Sequence, residues 1–173
     1  VKDNKGFTAL MRAVRNNKIK LARALCKMTT LSIWIVKDGK KINVKKDVVK
    51  SNTNLNAKFK NGWPMLLLAL RRKQVKIAKI LIKAGANLNL KLKSGYTAPM
   101  IALFRNIDEL VVLMIEKGAD VTLKDKIGRT IFHLSVTKNK IKIVQALIKK
   151  GVNLNIPNKM GRTPLMLAAA WGR

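Results

Sequence analysis

Seven glycines set the terms on which this chain can fold. Gly62, Gly95, Gly128 and Gly161 stand 33 residues apart, and so do Gly85, Gly118 and Gly151. The first series sits in NGWPMLLLA, SGYTAPMIA, IGRTIFHLS and MGRTPLMLA, with KGFTALMRA around Gly6, and the second in AGANLN, KGADVT and KGVNLN. Two glycine series on one period mean that a single small unit is repeated side by side. Each copy has too little apolar surface to fold alone, and stacking on its neighbours closes the core.

Each copy reads as two helices. In the unit around Gly62, Asn61-Gly62 is a turn, Pro64 suits the first turn of a helix, and Met65 to Arg72 supply that helix. Lys73-Gln74 breaks it, after which Val75, Ile77, Ala78, Leu81 and Ile82 recur at the spacing of one helical face. Gly85 follows where the chain must turn left-handed to leave the second helix. The next copies use Thr97 and Thr130 as N-caps, their hydroxyls accepting from free amides of the first turn. Their second helices are Leu110 to Glu116 and Ile141 to Lys150.

A 33-residue period with a T-P-L-H-x-A core resembles the ankyrin repeat. Thr163-Pro164-Leu165-Met166-Leu167-Ala168 and Thr8-Ala9-Leu10-Met11-Arg12-Ala13 match that core best. The resemblance implies an all-α solenoid of helix-turn-helix units with short β-turn tips. The units are 1–30, 54–89, 90–122 and 123–155, with a partial fifth at 156–173 in a single domain. Gly6 precedes Gly62 by 56 residues, so an insertion, 31–53, separates the first two units. Within it Asp38-Gly39 lies between Leu31 to Val36 and Lys41 to Val44, which predicts a two-residue β-hairpin or long loop. The family's histidine position holds Met11, Leu67, Met100, His133 and Met166, so one unit keeps the imidazole and apolar packing replaces it elsewhere.

Charge narrows the function classes. The 37 Lys and Arg outnumber 8 Asp and Glu for a net charge of +29, which favours an anionic partner: acidic protein, nucleic acid or lipid surface. Cys26 is alone, so no internal disulfide forms and a reducing, intracellular and cytoplasmic setting is expected. No apolar run approaches the roughly 18 to 20 residues that span a bilayer. The chain opens on Val1 and stops soon after a repeat opens, which reads as a piece of a longer protein.

Catalysis finds little material. One histidine and one cysteine cannot build an all-histidine or cysteine-rich zinc cage, nor a nucleophilic site with several histidines in play. His133 occupies a structural position, Cys26 reads as a small buried apolar residue, and Asp108-Glu109 complements a helix N-terminus. No cofactor, metal ligand or catalytic residue is assigned.

Surface recognition remains. The resemblance implies docking on a concave side made by turn tips and first helices, and alignment carries this over to Lys60, Asn61, Trp63, Lys93, Tyr96, Lys126, Arg129, Lys159 and Arg162 at the tips. Arg71, Arg72, Phe104, Arg105 and Lys138 are the matching helix-end positions. Aromatics and arginines there are the types enriched in binding hot spots. The expected function is a monomeric, non-catalytic scaffold for another protein, with acidic partners selected by charge. The alternative is a polyanion binder, for nucleic acid or anionic membrane. Lys76, Lys79, Lys83, Lys142, Lys149 and Lys150 fall on second helices, so positive charge wraps the solenoid and nucleic acid ranks behind protein as the partner.

Overall fold

A computed structural model describes residues 8–27, 33–37, 40–44, 54–59 and 62–172. The helices are α1 (Ala9–Arg15), α2 (Ile19–Lys27), α3 (Met65–Arg71), α4 (Val75–Lys83), α5 (Ala98–Phe104), α6 (Asp108–Glu116), α7 (Ile131–Thr137), α8 (Ile141–Lys149) and α9 (Pro164–Ala170). Strands β1 (Ile33–Lys37) and β2 (Lys40–Val44) lie between α2 and α3. Helices of seven and nine residues alternate. None is long enough to persist in water unaided, so packing holds them.

That packing makes two layers. The first helices of successive pairs contact one another in the order α1, α3, α5, α7, α9, and the second helices in the order α2, α4, α6, α8. A first helix between two neighbours and its own partner loses nearly all exposure: Met65, Leu66, Leu67, Leu68, Ala69 and Leu70 of α3 are all buried. Second helices bury one stripe, Ile77, Ala78, Leu81 and Ile82 in α4, while Val75 is only half-buried.

Within each pair the link is a tight turn through a left-handed residue, Asn17, Lys73, Asn106 or Asn139, at φ of 53° to 57°. Asparagine tolerates this region; lysine gains nothing there. Beyond α4, α6 and α8, an Asx turn starts the next unit. Asn56 Oδ1 accepts from the Asn87 amide at 2.8 Å and Asn89 Oδ1 from the Asp120 amide at 2.9 Å, each tying one unit to the next. At the following step Thr122 replaces the asparagine, and its hydroxyl turns back onto Asp120 at 2.6 Å.

Several expectations about helix starts need correction. Pro64 is the N-cap of α3, one residue outside the helix, where its extended backbone makes a β-bridge with Lys58. Thr97 occupies the N-cap of α5 without a side-chain cap bond; Pro99 follows at the second helical position and has no N–H to offer. Thr8 and Thr163 do cap, accepting from the Met11 and Met166 amides at 3.2 and 3.3 Å. Met11 adds more than packing, because its sulfur accepts the Thr8 N–H at 3.5 Å. The α3 helix ends at Arg71, leaving Arg72 as its C-cap, and α6 begins at Asp108.

In the insertion, β1 and β2 pair antiparallel from Ile33 with Val44 to Lys37 with Lys40. That register leaves only Asp38 and Gly39 between the strands; the expected turn at those two residues lies outside the described ones.

Candidate partner-binding face

The tips begin with the backbone. In each, one amide closes a hairpin onto the carbonyl four residues on: Phe59 to Trp63, Leu92 to Tyr96, Asp125 to Arg129 and Asn158 to Arg162, at 2.9 to 3.0 Å. Consecutive tips then bond to each other, Lys126 N–H to the Ser94 carbonyl at 3.3 Å and Lys159 N–H to the Ile127 carbonyl at 3.1 Å. This approach leaves no room for a side chain at Gly128, whose Cβ would sit 2.7 Å from the Lys159 nitrogen.

Asp125, which pattern reading passed over, anchors its tip. Its Oδ1 accepts from the Ile127 and Arg129 amides at 3.0 and 2.9 Å, and its Oδ2 accepts from Arg129 Nε at 2.9 Å. Asn158, one period later, repeats the backbone half of this arrangement with the Met160 and Arg162 amides. The signal was present as a polar residue three places before each of the last two tip glycines.

Side chains rooted in the tips lie along the first helices. Trp63 carries the Arg71 guanidinium 4.8 Å from its ring centroid. Tyr96 meets Phe104 with centroids 5.0 Å apart, and Lys138 Nζ stands 5.1 Å over the Phe104 ring, linking α5 to α7. Arg129 Nη2 reaches the Tyr96 hydroxyl at 3.5 Å while paired to Asp125 at 2.9 Å. Expected site residues thus form two clusters, Trp63 with Arg71, and Tyr96 with Phe104, Arg129 and Lys138. Arg72 and Arg105 are the C-caps of α3 and α5. Arg72 Nη1 donates to the Arg15 carbonyl at 3.1 Å. Lys93, Lys126, Lys159 and Arg162 are exposed and Arg105 is half-buried. Lys60 and Asn61 lie outside the described residues.

His133 is fully buried beneath this face. Its Nδ1 accepts from the Thr130 N–H at 3.2 Å, with the Thr130 hydroxyl at 3.0 Å, and Nε2 lies 3.3 Å from the Arg162 carbonyl. An accepting Nδ1 leaves the proton on Nε2, which donates to the next tip. Burial is the main cause that holds its pKa below 6.5, against the raising effect of the Arg162 carbonyl. The imidazole is therefore a neutral tie between units.

The second-helix layer carries the remaining lysines. Lys76, Lys79 and Lys83 of α4 and Arg23 of α2 surround a cleft of about 570 Å³, with Cys26, Ile80 and Ala84 also lining it. Burial pushes the Cys26 thiol up from its ordinary pKa. Lys142, Lys149 and Lys150 are exposed on and just after α8. Asp108 forms an ion pair with Lys140 at 3.0 Å, joining α6 to the start of α8 in addition to complementing its own helix. Among the described residues no group of three or more His, Cys, Asp or Glu side chains is placed to hold a metal ion. Nor is any helix there long and apolar enough to cross a membrane.

Layered helix pairs joined by hydrogen-bonded tips define a helical repeat solenoid. Residues 32–125 and 100–173 match the family model described as ankyrin repeats in three copies, and the chain belongs to the ankyrin-repeat family. Ankyrin repeats are generally protein–protein interaction modules. No curated protein matches the chain.

Proposed function

We propose that this chain is a non-catalytic, monomeric scaffold of units 1–30, 54–89, 90–122, 123–155 and 156–173, found in a reducing intracellular compartment. It binds an acidic protein surface across its tips and first helices, the side that the family makes concave. One observation carries the reading: aromatic rings and cations alternate along this face, in Arg71 on Trp63 and Lys138 on Phe104 beside Tyr96. The one described acid at the tips, Asp125, is already neutralised by Arg129. Rings held against cations form a preordered surface of the type that dominates binding energy.

Affinity capture with matched variants tests this. Trp63→Ala combined with Arg72→Ala should release the captured protein, whereas Lys76→Ala with Lys79→Ala and Lys83→Ala should retain it. Retention by the first variant refutes the assignment. Capture that disappears on nuclease treatment, and falls steeply and linearly in log affinity against log salt, would establish a polyanion binder in its place.

A further inference from the structure

The cations on the proposed face recur with the unit. Lys93, Lys126 and Lys159 stand 33 residues apart on consecutive tips, and Arg72, Arg105 and Lys138 stand 33 apart as the C-caps of α3, α5 and α7. Tip-to-tip hydrogen bonds hold the first row in step, and direct packing of α3 on α5 and α5 on α7 holds the second. Packed helices lie about 8–10 Å apart, so each row presents one positive charge per 8–10 Å along the stack.

Two members of the second row are held in place before any partner arrives. Arg72 is fixed by the Arg15 carbonyl and Lys138 by the Phe104 ring. The acids nearest the rows are Asp125 beside Lys126 and Asp108 and Glu109 just after Arg105; Asp125 is already paired with Arg129 at 2.9 Å and Asp108 with Lys140 at 3.0 Å.

A polyproline II segment has three residues per turn and rises about 3.1 Å per residue, so every third side chain returns to the same face about 9 Å further on; a β-strand would turn alternate ones of these away. We infer that the partner presents a polyproline II segment running along the stack with an acidic side chain at every third residue, each carboxylate meeting one of Arg72, Arg105 and Lys138. Single-stranded nucleic acid fits this row less well, because it carries a phosphate on every nucleotide, closer together than the cations of the row, and would leave charges unmatched. The inference rests on the face assigned above and adds its register.

Fluorescence anisotropy on the full chain tests it at about 0.15 M salt. The probe is a labelled peptide spanning about 30 Å as a polyproline II helix, with glutamates at every third position and proline between. Its isomer, of identical composition and charge, has glutamates at every second position, and an oligothymidylate of equal charge is the third ligand. The every-third peptide should bind about tenfold tighter than its isomer, the product of three exposed ion pairs. Arg105→Gln should lower that preference to about fivefold, Arg72→Gln, Arg105→Gln and Lys138→Gln combined should erase it, and Arg105→Lys should keep it, with circular dichroism showing each variant folded.

Equal affinities for the two peptides, both weakened by Arg72→Gln and Lys138→Gln, would overturn the register and leave the face standing. Peptide affinities indifferent to all these substitutions would remove the face as well. Tighter binding of the oligothymidylate, or no peptide binding, would overturn the inferred occupant.

Discussion

Replacing Gly128 by alanine separates two penalties that glycines in this fold carry. Gly128 has φ of +82°, a region that costs an L-residue about 1–2 kcal/mol. An added Cβ would also stand 2.7 Å from the Lys159 nitrogen and 3.2 Å from the Asn158 carbonyl carbon, so the next tip's backbone must move. Forced overpacking of that kind adds about 1–3 kcal/mol. Gly161 has the same role in the last tip, with φ of +73° and nothing within 4 Å of an added methyl, so it isolates the conformational part. We expect Gly161→Ala to cost about 1 kcal/mol and Gly128→Ala about 3 kcal/mol. Urea unfolding followed by circular dichroism reads both, as shifts in midpoint at constant slope. Equal losses would mean that adjacent tips are not in backbone contact and that the reasoning from stacked tips is wrong.

Three further outcomes follow from the same geometry. Asp125→Ala strands two amides and the Arg129 guanidinium and should cost about 2–4 kcal/mol by chemical denaturation, while Asp125→Asn, which imitates Asn158, should cost less than half as much. His133 is the chain's sole histidine, and its folded pKa lies below the unfolded 6.5; the unfolded chain therefore binds the proton first, and stability present above pH 6.5 should be lost as pH falls toward the folded pKa, by about 1.4 kcal/mol per pH unit in that window. His133→Gln should flatten that part of the profile, and an unchanged slope would refute the neutral imidazole. Lys73→Asn should raise stability by about 0.5–1 kcal/mol in a thermal melt, because Lys73 holds a left-handed φ of 54° that asparagine adopts more readily.

Much of the architecture was legible because the period is written in glycines, and a glycine at positive φ is a backbone requirement that side-chain drift cannot hide. The helix pairs, the second-helix stripe of Ile77, Ala78, Leu81 and Ile82, and the pairing around Asp38-Gly39 all came from local rules of spacing and turn chemistry. What escaped depends on contacts between units. Thr97 looks like any capping threonine until Pro99 removes a donor, and Met11 looks apolar until its sulfur faces the Thr8 amide. Asp125 stands alone in sequence; only the folded tip brings its carboxylate under three donors. On the candidate face, residue types at aligned positions pointed to Trp63, Tyr96, Phe104 and Lys138. That Arg129 is committed to Asp125 and Tyr96 could be seen only once the tip closed.

Lysine footprinting of the complex, by differential acetylation and mass spectrometry, tests the binding face most directly. The proposed face predicts that a bound partner protects Lys93, Lys126, Lys138 and Lys159 while Lys76, Lys79, Lys83 and Lys142 stay as reactive as in the free chain. Protection of the second-helix lysines, with the tip lysines still reactive, would contradict it.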